Sequence, residues 1–162
     1  MRKAFTLMEL VFVIVVIGIL ASIAAPKLIA TRDDATITKA KSTLASLRSS
    51  LTQEVQRRQM EGNYTLVKNL GGTVGAFDSD IFDFFDGNNA NARVLEYPLK
   101  SCKDSNAVGC WMRLDDTNGY GTYSYISPVS SIGDSATIQV DNNRLTCTPN
   151  PADSEICDYL EH

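Results

Sequence analysis

One acid, Glu9, lies at the start of the most apolar stretch of the chain. No charged residue occurs from Leu10 to Pro26, and Glu9 is the only charge between Ala4 and Pro26. An ionised carboxylate in lipid is costly unless it pairs with an opposite charge, and where it is tolerated it usually marks function. The two interpretations of Glu9 are an interfacial residue solvated by headgroups and a functional acid that finds a partner.

The second set of residues whose type suggests chemistry is the four cysteines, which all lie in the C-terminal 61 residues: Cys102, Cys110, Cys147 and Cys157. An even number of cysteines in a loop-rich region behind an apolar N-terminus predicts disulfides formed in an oxidising compartment. Three pairings are open; the sequential one, Cys102–Cys110 and Cys147–Cys157, closes short loops and is preferred. A zinc site is the rival, but the chain has no CxxC and its only histidine is His162.

Two shorter motifs each have a chemical and a structural interpretation. Oxygen ligands beside glycines in residues 115–121, namely Asp115, Asp116 and Asn118, make a weak Ca²⁺ candidate without EF-hand spacing; a turn between strands is preferred. The segment Glu61-Gly62-Asn63-Tyr64-Thr65 contains an N-x-T acceptor. Its acid two residues before Asn63 resembles the extended acceptor of some bacterial oligosaccharyltransferases, and a helix cap with a turn explains the segment equally well.

Charge and motif content exclude several function classes. Residues 1–61 hold nine Lys and Arg against five Asp and Glu, a net +4, whereas residues 62–162 hold six against fourteen, a net −8. An acidic C-terminal part disfavours nucleic-acid binding, because phosphate contacts need clustered Lys and Arg. No Walker A, GxGxxG, HExxH or GxSxG motif occurs, and His162 ends the chain, so we predict no enzymatic activity.

The elements that position these residues follow from periodicity. The run from Ala4 to Pro26 is long enough to cross a hydrocarbon core of about 30 Å as a helix. A secretory signal cleaved after Ala24 is the alternative, but it leaves Glu9 unexplained. Helical patterning then continues, with apolar residues at helical spacing over residues 37–55: Ile37, Ala40, Leu44, Leu47, Leu51 and Val55. We predict one helix over about 5–61, kinked or locally melted at Pro26 and stopped by Gly62-Asn63.

After Gly62 the sequence changes to short segments broken by Gly, Asn, Asp and Pro. One or two helical turns are predicted over 79–87, capped by Ser79 and stopped by Gly87. Phe77, Phe82, Phe84 and Phe85 are expected to pin this loop to a sheet, and a ligand-binding aromatic patch is the alternative. Strands are predicted over 93–99, 111–114, 120–126, 136–140 and 144–148, the last two joined by a turn at residues 141–143. The fold class is therefore α+β, with the helix packed on a small antiparallel sheet.

The N-terminal motif resembles that of type IV pilins and type II secretion pseudopilins. The matching residues are Ala4, then Phe5-Thr6-Leu7-Met8-Glu9, a long apolar run and Pro26. Ala4 replaces the glycine that is commoner at the cleavage position in the family. The resemblance implies cleavage between Ala4 and Phe5 by a prepilin peptidase, N-methylation of Phe5, and pairing of Glu9 with the Phe5 amine of a neighbouring subunit.

The resemblance implies a pilin-like layout: a leader at 1–4, a transmembrane and polymerisation helix at 5–30, an amphipathic stalk at 31–61 and a disulfide-containing head at 62–162. In many pilins the loop corresponding to Cys147–Cys157 ties the C-terminal tail to the last strand. Major pseudopilins of type II secretion bind calcium in a head loop, which bears on the Ca²⁺ candidate. Residues 160–162, Leu-Glu-His, look like the start of a vector-derived tail.

The function expected from the resemblance is that of a filament subunit, of a pilus or of a secretion pseudopilus. Its partners would be copies of itself, the prepilin peptidase and inner-membrane assembly machinery, with no cofactor. It would reside in the inner membrane with its head in the periplasm, and then in a periplasmic or extracellular filament. The alternative is a single-pass anchored binding module that does not polymerise and needs no cleavage before Phe5.

Overall fold

The structure, a computed structural model, describes residues 6–162, with the side chains of residues 24–30 outside the description. Helix α1 spans Leu7–Met60, close to the predicted 5–61. The chain divides into two units, Met1–Ala35 and Thr36–His162. The stalk from Thr36 onward therefore belongs to the same compact unit as the head.

The first unit contains the N-terminal part of α1. Within the part of the chain that the structure describes, no helix combines the length and the hydropathy needed to cross a membrane. The transmembrane segment expected at 5–30 is thus not found among those residues, and some of it, Phe5 and the side chains of 24–30, lies outside them. Helix α1 continues without interruption through Pro26, so the local melting predicted there is wrong, and the predicted kink is not tested.

The second unit begins with the amphipathic part of α1, whose apolar stripe faces the head as predicted. Ala40, Leu44, Leu47 and Leu51 are each at most 2% exposed, while Ile37 and Val55 are half-buried. The helix ends where the sequence predicted. Gly62 takes a positive φ of 74°, and the backbone N–H of Asn63 donates to the carbonyl of Arg58 at 2.8 Å. This is the Schellman C-cap, which satisfies carbonyls left open by the last turn.

A four-stranded antiparallel sheet forms the centre of the head, in the order β3-β4-β5-β6. The strands are β3 (Cys110–Arg113), β4 (Thr122–Ile126), β5 (Ser135–Asp141) and β6 (Arg144–Asn150). The turn between β5 and β6 is as predicted, since Asn142 and Asn143 both have positive φ and Asp141 pairs with Arg144. In β6, an edge strand of this sheet, Pro149 pairs with Ala136.

A smaller two-stranded sheet corrects two predictions. It pairs β1 (Asp80–Ile81) with β2 (Leu99–Lys100). Of the strand predicted over 93–99, Leu99 belongs to β2 and Arg93 forms an isolated antiparallel bridge with Phe84, but residues 94–98 form no strand. Opposite them Phe82 has a positive φ, and the bonds are irregular, such as Val94 N–H to the carbonyl of Asp83 at 2.8 Å. The helical turn predicted from Ser79 is also displaced, to a 3₁₀ turn at Phe85–Gly87.

The core joins the stalk to the sheet. Phe82 is fully buried, with ring centroids 5.6 Å from Trp111 and 5.0 Å from Tyr123. Phe82 and Phe85 therefore pin their loop as expected, whereas Phe77 remains 47% exposed. The other buried apolar residues of this core include Ala40, Leu44, Leu47, Leu51, Tyr125, Ile138, Val140 and Leu160. The head is α+β, with a helix packed on antiparallel sheets.

A short helix, α2 (Ile156–Glu161), follows the sheet and contacts β5 and β6. Leu160 is 2% exposed in the core, and Glu161 forms an ion pair with Arg48 of the stalk. The segment that looks like a vector-derived tail thus contributes to the packing of the head.

Candidate functional site

The candidate assembly segment is residues 6–23, the start of α1. Every large apolar side chain between Leu7 and Ile23 is exposed, from 38% at Val16 to 78% at Leu7 and Met8. A helix that is apolar on all sides needs a surrounding of lipid or of other apolar helices. The described segment therefore has an unsatisfied apolar surface that encircles the helix.

Glu9 is exposed in the first turn of this segment. Its backbone N–H donates to the hydroxyl of Thr6 at 3.2 Å. Thr6 is thus the N-cap, and Thr6-Leu7-Met8-Glu9 has the S/T-x-x-E pattern of a capping box. A carboxylate in the first turn is also favoured by the helix dipole. Sequence reasoning missed the capping role of Thr6, although the pattern Thr6-Leu7-Met8-Glu9 was there to indicate it.

The remaining residues of the predicted processing and assembly site are not placed by the structure. Ala4 and Phe5 lie outside the described residues, and so does the side chain of Pro26. The proximity of Glu9 to a Phe5 amine concerns a neighbouring subunit and stays a prediction.

A buried ionic cluster, which the sequence analysis missed, fixes the head to the stalk. We call it the stalk clamp: Glu54, Arg58 and Asp86. Arg58 donates from Nε to Glu54 Oε1 at 2.8 Å and from its terminal nitrogen to Asp86 Oδ2 at 2.6 Å. Asp86 also accepts the backbone N–H of Lys68 at 2.7 Å. The clamp therefore ties two separate head segments to one turn of α1.

The electrostatics of the clamp follow from burial and pairing. Burial alone would raise the pKa of Glu54, but hydrogen bonds from Arg57 and Arg58 outweigh it and lower that pKa. Burial opposes the charge of Arg58 as well, yet hydrogen bonds to Glu54 and Asp86 raise its pKa. Both groups are thus held in their charged forms in a site where Glu54 is 3% and Arg58 6% exposed.

Two buried tyrosines lie in the core of the head, and the hydroxyl of Tyr125 also donates to the carbonyl of Thr36 in α1 at 3.4 Å. Tyr123 donates its hydroxyl to the carbonyl of Gly71 at 3.0 Å and accepts the backbone N–H of Leu70 at 2.7 Å. Burial raises the pKa of Tyr123 above its ordinary value and that of Tyr125 to about 12. Both phenols therefore stay neutral at physiological pH and act as packing and hydrogen-bonding groups.

The structure contains two disulfides, Cys102–Cys110 and Cys147–Cys157, which is the sequential pairing. The first joins the segment after β2 to the start of β3. The second joins β6 to α2 and so attaches the C-terminal helix to the last strand.

The Ca²⁺ candidate lies in an exposed turn. Thr117 and Tyr120 form a bridge, with Asn118 and Gly119 at positive φ between them, which is the geometry of a tight hairpin. The carboxylate of Asp116 already forms an ion pair with Arg113, with 2.9 Å between Asp116 Oδ1 and Arg113 Nη2. Within the described residues, no group of three or more His, Cys, Asp or Glu side chains is placed to hold a metal ion.

Comparison with known proteins adds no relative. No protein-family model, curated protein or solved structure matches this chain.

Proposed function

We propose that this protein is a structural subunit of a type IV pilus or of a type II secretion pseudopilus, assembled through its N-terminal helix. The observation that carries the proposal is the exposed apolar surface of residues 7–23 with a single acid, Glu9, in its first turn. The Phe5-Thr6-Leu7-Met8-Glu9 motif supports the same conclusion. Before assembly the apolar run from Ala4 to Pro26 lies in the inner membrane; in the filament, other subunits replace the lipid.

The mechanism assigns Glu9 the task of setting register. A peptidase removes residues 1–4, and the new amine of Phe5 is a cation that a neighbour's Glu9 attracts. Two unit charges about 4 Å apart gain roughly 4 kcal/mol at an effective dielectric constant of about 20. A subunit displaced along the bundle loses this energy, so one axial position is favoured. The stalk clamp and the apolar stripe fix the head to the stalk.

The first test is the N-terminus of the mature protein, measured by mass spectrometry on native membranes. An N-methylated Phe5 is expected. A start at Ala25 would mean an ordinary secreted protein, and an intact Met1 would favour the non-polymerising membrane anchor; either result would overturn the assembly mechanism.

The second test separates the charge of Glu9 from its place in the capping box. Glu9→Gln keeps a side chain that fits the box but removes the charge. Thr6→Ala removes the cap, at a cost of about 1 kcal/mol, and keeps the charge. We expect Glu9→Gln, like Glu9→Ala, to abolish filaments while leaving the protein in the membrane, and Thr6→Ala to assemble. Filaments of normal length from Glu9→Gln would refute the register role.

A further inference from the structure

The C-cap of α1 places an asparagine of an N-x-T acceptor on the head surface. Asn63, Tyr64 and Thr65 are all exposed, Tyr64 by 80%. The two explanations of this segment, helix cap and acceptor, prove compatible in the structure. The cap uses the backbone N–H groups of Gly62 and Asn63, at 3.0 and 2.8 Å from their acceptors, and leaves the side-chain amide of Asn63 to other contacts.

The side chains of the motif are arranged for reaction at the amide nitrogen. The backbone N–H of Thr65 donates to Asn63 Oδ1 at 3.0 Å, which fixes the carbonyl end of the amide toward the protein. Glu61, two residues before Asn63, has a 55% exposed side chain and is held by Arg57 at 2.6 Å. An acid, the asparagine and a hydroxyl residue thus stand at the −2, 0 and +2 positions of one surface turn.

The surroundings leave room for a saccharide. An open cleft of about 650 Å³ adjoins Asn63, and its lining includes Arg57, Asp86 and Asn91. Such walls offer hydrogen-bond donors and acceptors to sugar hydroxyls. The two disulfides indicate that the head folds in an oxidising compartment, where N-x-T acceptors are modified.

We propose that Asn63 is N-glycosylated by an oligosaccharyltransferase that reads an acid at the −2 position. The donor is a saccharide linked to a lipid pyrophosphate. Asn63 Nδ2 forms a bond to the anomeric carbon, the bond from that carbon to the pyrophosphate oxygen breaks, and Nδ2 loses one proton as the lipid pyrophosphate leaves. This proposal requires export of the head but not filament assembly, so it stands or fails separately from the proposed function.

The test is peptide mass spectrometry on the full chain purified from its native host. Trypsin digestion after reduction of the disulfides releases residues 59–68 and residues 104–113, each with one asparagine, Asn63 and Asn106. We expect residues 59–68 to carry a whole number of monosaccharides on Asn63. The adduct should be lost in Thr65→Ala and in Glu61→Gln, and kept in Thr65→Ser.

The exposed Asn106 provides a matched control. It follows Asp104 by two residues and lacks only a hydroxyl residue at Val108, which is 58% exposed. Val108→Thr therefore creates a second complete acceptor, and we expect residues 104–113 to gain the same adduct. An unmodified Asn63 in the wild-type chain overturns the proposal whether or not Asn106 is modified in Val108→Thr. An adduct that survives Thr65→Ala, or that fragmentation places on an oxygen of Tyr64 or Thr65, overturns it as well. Full occupancy in Glu61→Gln would overturn the requirement for the acid.

Discussion

Arg57 and Arg58 are adjacent arginines that bind the same carboxylate, Glu54, and we expect them to differ greatly in their effect on stability. The contacts are equivalent in length, 2.8 Å from each to Glu54 Oε1. The side chain of Arg57 is 43% exposed, whereas that of Arg58 is 7% exposed and also binds Asp86. The two arginines therefore share one partner but differ in burial and in their second partner, which is Glu61 for Arg57 and Asp86 for Arg58.

The magnitudes follow from the two environments. Arg58→Met leaves the 1% exposed carboxylate of Glu54 without its buried partner. Breaking a buried pair costs about 3–5 kcal/mol, and we expect the lower end because Arg57 still binds Glu54. Arg57→Met removes two partly solvated ion pairs, to Glu54 and to Glu61, which together are worth about 1 kcal/mol or less. The double change Glu54→Leu with Arg58→Met removes both buried charges and should cost less than Arg58→Met alone.

The assay is urea unfolding of a soluble fragment, residues 31–162, followed by circular dichroism. With a slope of about 1–3 kcal/mol per M, a loss of about 3 kcal/mol lowers the midpoint of Arg58→Met by about 1 M or more. The midpoint of Arg57→Met should move by a few tenths of that amount. Equal midpoints for the two single variants, or a double variant less stable than Arg58→Met, would refute the assignment of the clamp's energy to burial.

Two further predictions concern the head. Cys147→Ser with Cys157→Ser opens a loop with a sequence separation of 10, which should cost about 2–3 kcal/mol and lower the melting temperature of the fragment by about 10 °C; no change by calorimetry would argue against a stabilising role. Because the pKa of Glu54 is lowered on folding, its contribution is present above its ordinary pKa of 4.5 and is lost as pH falls through the folded value. Urea midpoints should therefore fall less between pH 6 and pH 3 in the Glu54→Leu, Arg58→Met variant than in the wild-type fragment, and parallel profiles would contradict this.

Those parts of the fold that depend only on residues close together in the sequence could be predicted from the sequence. The stripe of Leu44, Leu47 and Leu51 has helical spacing, Gly62 tolerates positive φ, and Asn142-Asn143 suits a two-residue hairpin. In each case the residues that form the element also determine its conformation, so no distant contact is needed to predict it.

The sequence failed where distant residues decide the outcome. Residues 93–99 have the β-favouring composition of a strand, but the segment opposite them contains Phe82, whose positive φ accompanies its packing against Trp111 and Tyr123. The stalk clamp needs Asp86 to meet Arg58 across 28 positions of sequence, and nothing in the helix pattern indicates that partner. In the candidate assembly segment, the apolar surroundings of Glu9 mark it as unusual. The bond from its backbone N–H to the hydroxyl of Thr6 depends only on residues of the first turn.

The composition of the edge strand β6 affects the tendency of this chain to aggregate through its sheet. An edge strand presents backbone donors and acceptors that another chain can extend into a continuous sheet, which is a route to aggregation. Pro149 has no backbone N–H to offer such a chain, and Cys147 is bonded to α2, which lies against the same strand. The strand is thus a poor template for sheet growth between molecules, and this edge of the sheet is protected against edge-to-edge aggregation.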